Sequence, residues 1–280
     1  MERLDDVTLL SWLREDAPFG DLTTRALGLR DEPATMRFSA RREMRVAAVE
    51  EAARLVELAG GRAVVRVPTG QDAAAGEILL DAEGSAAGLL LAWKTAQTGV
   101  EIASGIATEA ARIVALVRAA GFAVPLACTR KTWPGGRALA ARAAVAGGAV
   151  MHRLGLSETL LVFPEHRVFL APGQVAAAVA ALRAASPEKK VVVETGDADE
   201  ALALAAAGAD VLQLERFVPD DLAVLRARLD AAGLRPLLAP AGGVTAGNAV
   251  AYAAAGADVL VSSAPYLAPP ADVKVTIGRA

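Results

Sequence analysis

The sequence has a single cysteine, Cys128, which excludes an internal disulfide and a cysteine-cluster metal site. Histidine is nearly as scarce. His152 and His166 have no third histidine and no cysteine beside them, which argues against zinc and leaves an anion-binding or structural role. Aromatic residues reach only 4%, too few for base-stacking platforms. Charge of one sign is also lacking: 29 basic and 32 acidic side chains leave a net −3, so a general nucleic-acid binder is not expected. No stretch runs long enough without charge, Gly or Pro to read as a membrane span. Residues 1–6 are charged and carry no apolar signal core, so the expectation is a cytoplasmic enzyme.

What is abundant is apolar material. Hydrophobic residues make up 54% and charged residues 22% of 280 positions, enough for a large core. The length suits two compact domains, or an α/β barrel with an extra lobe. The first hundred residues read as a mixed lobe. Helical spacing covers Val7 to Arg14, and residues 15–24 form a polar, Pro/Gly-broken loop. Strand-like alternation covers Met36 to Val49, Arg62 to Val67 and Glu77 to Asp81, with a helix from Glu50 to Ala59 closed by Gly60-Gly61. A long helix is expected over Ala86 to Ser104, then a break at Gly105 and a second helix over Thr108 to Ala120.

Beyond this point the rhythm changes. Short apolar runs alternate with Ala/Leu-rich helical stretches: Val124–Thr129, Ala149–His152, Thr159–Phe163, Val191–Glu194, Val211–Glu215, Pro236–Ala239 and Val259–Ser262. Such runs predict parallel strands buried on both faces. An internal echo supports a repeated βα unit: the Ala-Ala-Ala-Gly-Ala-Asp-Val-Leu of 205–212 recurs at 253–260. No strand opens onto a dinucleotide fingerprint, which favours a barrel over an open sheet.

In a barrel, chemistry sits at the C-terminal strand ends. Six of the seven runs lead into charged or hydroxyl residues there: Arg130, Lys131 and Arg137; His152 and Arg153; Glu165 and His166; Glu194; Glu215; and Ser262-Ser263. The remaining run leads into Gly242-Gly243. A pocket holding that many cations implies an anionic small-molecule substrate. Glu194 and Glu215 at successive strand ends are candidates for sugar hydroxyls, a developing positive charge, or a hard cation such as Mg²⁺. Gly242-Gly243 and Ser262-Ser263 fit a backbone phosphate site. Ion pairing among these groups is the bland alternative, and a tight turn is the alternative for the Gly pair.

Several motifs, in order, resemble the quinolinate phosphoribosyltransferase family (nicotinate-nucleotide pyrophosphorylase, carboxylating). They are Glu15-Asp16 with Gly20-Asp21-Leu22-Thr23, Ser104-Gly105-Ile106-Ala107-Thr108, Thr129-Arg130-Lys131-Thr132 with Pro134-Gly135, Gly147-Gly148 before His152-Arg153-Leu154-Gly155-Leu156, and Gly242-Gly243-Val244-Thr245. Residues 154–159 and 162–167 look most like the ModD branch, associated with molybdenum-transport genes. The resemblance implies an N-terminal α/β sandwich lobe (1–104), an incomplete seven-stranded α/β barrel (105–265) and a C-terminal tail (266–280) packing back on the lobe. It also implies a homodimer with shared sites and Mg²⁺-dependent transfer from phosphoribosyl pyrophosphate to quinolinate, giving nicotinate mononucleotide, CO₂ and pyrophosphate. Arg130, Lys131, His152 and Arg153 fall on the family's anion-binding positions and Glu194 on its first acidic position. Lys94 falls where the family places an Arg contributed across the dimer.

Three departures stand out. Phe163 takes the place of an active-site Lys, Glu215-Arg216 replaces Asp-Asn, and Ala241 replaces a Ser before the Gly pair. Arg216 follows Glu215 directly, so strand alternation predicts that it points away from the site. Two rival readings remain: a Schiff-base lyase using Lys131, and a catalytically weak or inactive anion-binding protein linked to molybdate supply.

Overall fold

The computed structural model describes residues 3–171 and 173–280; Met1 and Glu2 of the charged start, and Pro172, lie outside the described residues. The chain divides into two compact units. The first takes residues up to 111, 132–148 and 265–280, and the second takes 112–131 and 149–264.

In the first unit Asp5 starts helix α1 (Asp6–Asp16) by accepting from the Thr8 N–H at 2.7 Å. The expected loop ends earlier than its composition indicates, because Asp21 caps a short helix α2 (Leu22–Ala26) by accepting from the Thr23 and Thr24 N–H groups. Strand β1 (Pro33–Ala40) buries Ala34, Met36, Phe38 and Ala40 on alternate positions. Strand β2 (Met44–Arg45) leads into helix α3 (Val49–Leu58), followed by β3 (Arg62–Val65), β4 (Asp72–Ala73) and β5 (Ile78–Ser85). A sheet of order β13-β1-β5-β3 results, with the C-terminal strand β13 (Val273–Arg279) antiparallel to β1.

The break expected at Gly105 does not occur: a single helix, α4, runs Ala86–Ala119. One mid-helix Gly costs only about 1 kcal/mol, too little to end a helix with strong formers on both sides. Gly105 serves close approach instead, since a Cβ there would lie 2.3 Å from the Pro269 carbonyl oxygen. Helix α5 (Arg137–Ala146) belongs to this unit although it follows the first strand of the second. It is tied down by Arg142, whose Nη2 lies 3.1 Å from Glu50 and Nε 2.9 Å from the fully buried Glu51.

The second unit is an incomplete, seven-stranded α/β barrel. Its strands are β6 (Leu126–Cys128), β7 (Val150–Met151), β8 (Leu160–Val162), β9 (Val191–Thr195), β10 (Val211–Glu215), β11 (Leu237–Ala241) and β12 (Leu260–Ser262). Parallel pairing gives the runs β7-β6-β12 and β8-β9-β10-β11. The Asp258 N–H, leading into β12, donates to Leu238 of β11 at 2.9 Å and joins the two runs. Alanine and branched aliphatic residues fill the interior: Ala127, Leu161, Val192, Val211, Ala239 and Val261. Between strands run helices α6 (Pro164–Arg167), α7 (Val175–Ala185), α8 (Ala198–Ala206), α9 (Pro219–Ala231) and α10 (Ala249–Ala254).

The sequence echo is structural. Gly208 and Gly256 sit at φ +93° and +95°, and the Asp two residues later does the same work in both copies. Asp210 accepts from the Val191 N–H at 2.8 Å and pairs with Arg183; Asp258 accepts from the Leu238 N–H at 2.8 Å and pairs with Arg226. Each Arg also donates to its Gly carbonyl.

Candidate active site at the barrel strand ends

Strand alternation puts Glu194 two residues after the inward Val192, and Glu215 four residues after the inward Val211. Glu194 is half-buried, and the Gln213 amide donates to its Oε2. Burial raises its pKa above the usual glutamate range. The Gln213 hydrogen bond and Lys131 oppose that rise, while Glu215 and Glu165 add to it. From α6, Arg167 donates to the Glu194 carbonyl at 3.2 Å and pairs with Glu200.

Glu215 lies flat against the next loop. A Cβ on Gly242 would meet its carboxylate at 2.5–2.6 Å, so any other residue there would displace the acid. Gly242 (φ +76°) and Gly243 (φ +145°) also need backbone conformations foreign to other residues. Arg216 overturns the alternation argument. At φ +58° the chain has left the strand, and Arg216 Nε turns to within 3.5 Å of Glu215 Oε1. Alternation holds only while the backbone stays extended.

The basic side comes from β6 and β7. Thr129 Oγ1 shares a 2.6 Å hydrogen bond with Ser263 Oγ and accepts from the Lys131 N–H at 3.2 Å. Arg130 is half-buried and Lys131 exposed. The His152 N–H donates to the Cys128 carbonyl at 2.9 Å. Burial, then the charge of Arg153, holds the His152 imidazole below its usual pKa. Arg153 is only 6% exposed, and burial followed by Arg130 lowers its pKa too. Among the described residues no carboxylate pairs with it. Its guanidinium lies instead 5.5 Å from the Phe163 ring centroid. Phe163 stacks on His166 with centroids 5.9 Å apart, and its N–H donates to His166 Nδ1 at 3.0 Å.

Ser262 has a different part from Ser263. Its buried hydroxyl donates to the Val244 carbonyl at 2.6 Å and accepts from the Ala264 N–H at 3.0 Å, so it fixes the loop that follows the Gly pair. The second unit thus brings together Arg130, Lys131, His152, Arg153, Glu194, Glu215, Gly242, Gly243, Ser262 and Ser263. Lys94 and Arg137 belong to the first unit. Arg137 is exposed at the start of α5. Lys94 donates to Gln97 at 3.0 Å, lies 4.5 Å from the Trp93 ring centroid and lines a cavity of about 800 Å³ with Trp12, Asp16 and Trp133. Sequence reasoning missed Gln213. The available signal was a polar residue two positions before Glu215, on the same strand face.

Two family models cover the chain: the quinolinate phosphoribosyl transferase N-terminal domain over residues 21–104 and its C-terminal domain over 106–276. The chain belongs to this family. It is 50% identical over 246 residues to the "Putative pyrophosphorylase ModD" of Rhodobacter capsulatus, covering 88% of this chain and 95% of that one. It is 34% identical over 262 residues to the nicotinate-nucleotide pyrophosphorylase (carboxylating) of Mycobacterium leprae, covering 92% and 91%. In fold it matches the nicotinate-nucleotide pyrophosphorylase of Francisella tularensis with a TM-score of 0.87 and 24% identity, over 99% of this chain and 100% of that one.

Proposed function

We propose that the protein is a ModD-like pyrophosphorylase. It transfers a phosphoribosyl group from phosphoribosyl pyrophosphate to quinolinate or a related acidic heteroaromatic base and releases pyrophosphate, with CO₂ when the base is quinolinate. The observation that carries this reading is the split mouth of the barrel. Cations (Arg130, Lys131, His152, Arg153) leave two strands, and carboxylates (Glu194, Glu215) leave two others. A phosphorylated sugar needs both kinds of group: cations for its phosphates, carboxylates for its hydroxyls and the positive charge that develops at its reacting carbon.

Each step follows from these groups. Arg130, Lys131 and the Gly242-Gly243 amides hold phosphate oxygens. Arg153, buried without an acid, receives a carboxylate or phosphate as its missing partner. The bond from the sugar carbon to pyrophosphate breaks, the pair of electrons leaving with pyrophosphate. Glu194 and Glu215 stabilise the oxocarbenium-like sugar until a ring nitrogen of the base attacks. Among the described residues no three His, Cys, Asp or Glu cluster. Glu194 and Glu215 are the residues that would hold a Mg²⁺ arriving with the substrate, and the metal would neutralise the departing charge.

Lys94 reaches a site of the second subunit in a homodimer, in the cytoplasm, on this reading. The test is pyrophosphate release from phosphoribosyl pyrophosphate and Mg²⁺ against a panel of heteroaromatic acids. Release with at least one acid is the expected result. The second reading, an anion-binding protein linked to molybdate supply, draws on Phe163, which leaves Arg153 as the buried cation on that side. It predicts ligand binding with no pyrophosphate released by any acid.

A further inference from the structure

Gln213 is out of place in the barrel interior. It is 6% exposed, paired in register with Glu194 on one side and Ala239 on the other, among Val192, Val211 and Ala239. Its Nε2 is used on Glu194, while its Oε1 is buried with no hydrogen-bond partner. An orphaned buried acceptor is destabilising, a cost that an apolar side chain of the same shape would avoid. Such a group calls for a reason.

The reason lies in what a sugar phosphate offers. Its phosphates are acceptors and are served by Arg130, Lys131 and Arg153. Its only donors are its hydroxyls. We infer that Gln213 is a specificity-determining residue of the same site, with Oε1 accepting a hydrogen bond from a hydroxyl of the bound pentose while Nε2 holds Glu194 in place. No donor among the described residues reaches that oxygen, and a ligand hydroxyl against it would supply one. The inference rests on the sugar-phosphate reading of the site given above.

Calorimetric titration of the full chain with ribose 5-phosphate and with inorganic phosphate separates the two. In Gln213→Met the affinity for ribose 5-phosphate falls about tenfold or more, while that for inorganic phosphate changes by less than about twofold. Gln213→Leu gives the same split, so the result does not hang on one variant folding. Equal affinities for ribose 5-phosphate in variant and wild type overturn the inference and leave the sugar-phosphate reading standing. So does a parallel loss for both ligands, which marks Gln213 as merely structural. A wild-type protein that binds inorganic phosphate but not ribose 5-phosphate overturns the sugar-phosphate reading itself, and this inference with it.

Discussion

If Phe163 stands in place of a cation, the site receives one anionic group fewer. Its ring faces the buried Arg153 guanidinium at 5.5 Å, where the family resemblance implies a lysine. A charge-assisted contact is worth about 1.5–3 kcal/mol, so a dicarboxylate base loses one strong partner here. Phe163→Lys is therefore expected to tighten quinolinate binding by tenfold or more, on the order of that contact. Unchanged kcat/KM on quinolinate, already at the level of an ordinary family member in the wild type, would sink this account. Glu194 gives a second expectation. Its folded-state pKa is raised, so the folded chain holds a proton that the unfolded chain releases more readily. Its contribution to stability is present in acid and is lost as pH climbs from the usual glutamate range through the raised value. Glu194→Gln removes that loss. Above the raised value the variant should unfold at higher urea than wild type while pyrophosphate release is abolished. A variant less stable than wild type at pH 8 would contradict the assignment.

Among the secondary-structure elements, close approach outweighs propensity. Gly105→Ala in α4 gains about 1 kcal/mol of helix propensity. The added Cβ, 2.3 Å from the Pro269 oxygen, must push backbone aside at a cost of about 1–3 kcal/mol. Net destabilisation in urea is the expected outcome, and a stabilised variant would show that the 265–280 segment yields freely. Helix α5 depends on charge instead. Arg142→Ala strands the Glu51 carboxylate, whose side chain is 2% exposed, and should cost about 3–5 kcal/mol. Adding Glu51→Gln should recover much of that loss. If the double variant is no better than the single one, packing of the Arg stem is what matters.

Complementation addresses the whole molecule, because Lys94 and the barrel site lie on different units of the chain. If Lys94 serves the second subunit, Lys94→Ala and Arg153→Ala proteins are each inactive alone. Mixed subunits then regain pyrophosphate release, since one of the two hybrid sites carries both native residues. No recovery on mixing, with dimers verified by sedimentation, would place Lys94 outside the site.

Much of this was legible from the chain alone. The seven short apolar runs, the repeated Gly-x-Asp junction and the charged or hydroxyl residues after six of the runs point to a barrel with its chemistry at one end, because periodicity and burial are local properties of sequence. The Gly242-Gly243 pair reads from sequence as a backbone phosphate site or a tight turn, while its closeness to the Glu215 carboxylate is not legible there. What only the tertiary structure decided are facts of relation. Arg216 turns back on Glu215 because a left-handed residue ends the strand, and no pattern of side-chain types encodes that. α4 carries a glycine at 105 because a distant proline segment needs the space. Ser262 is spent on the Val244 carbonyl and Gln213 is left with an empty oxygen, since hydrogen-bond partners are chosen by proximity across strands, and proximity is what folding adds.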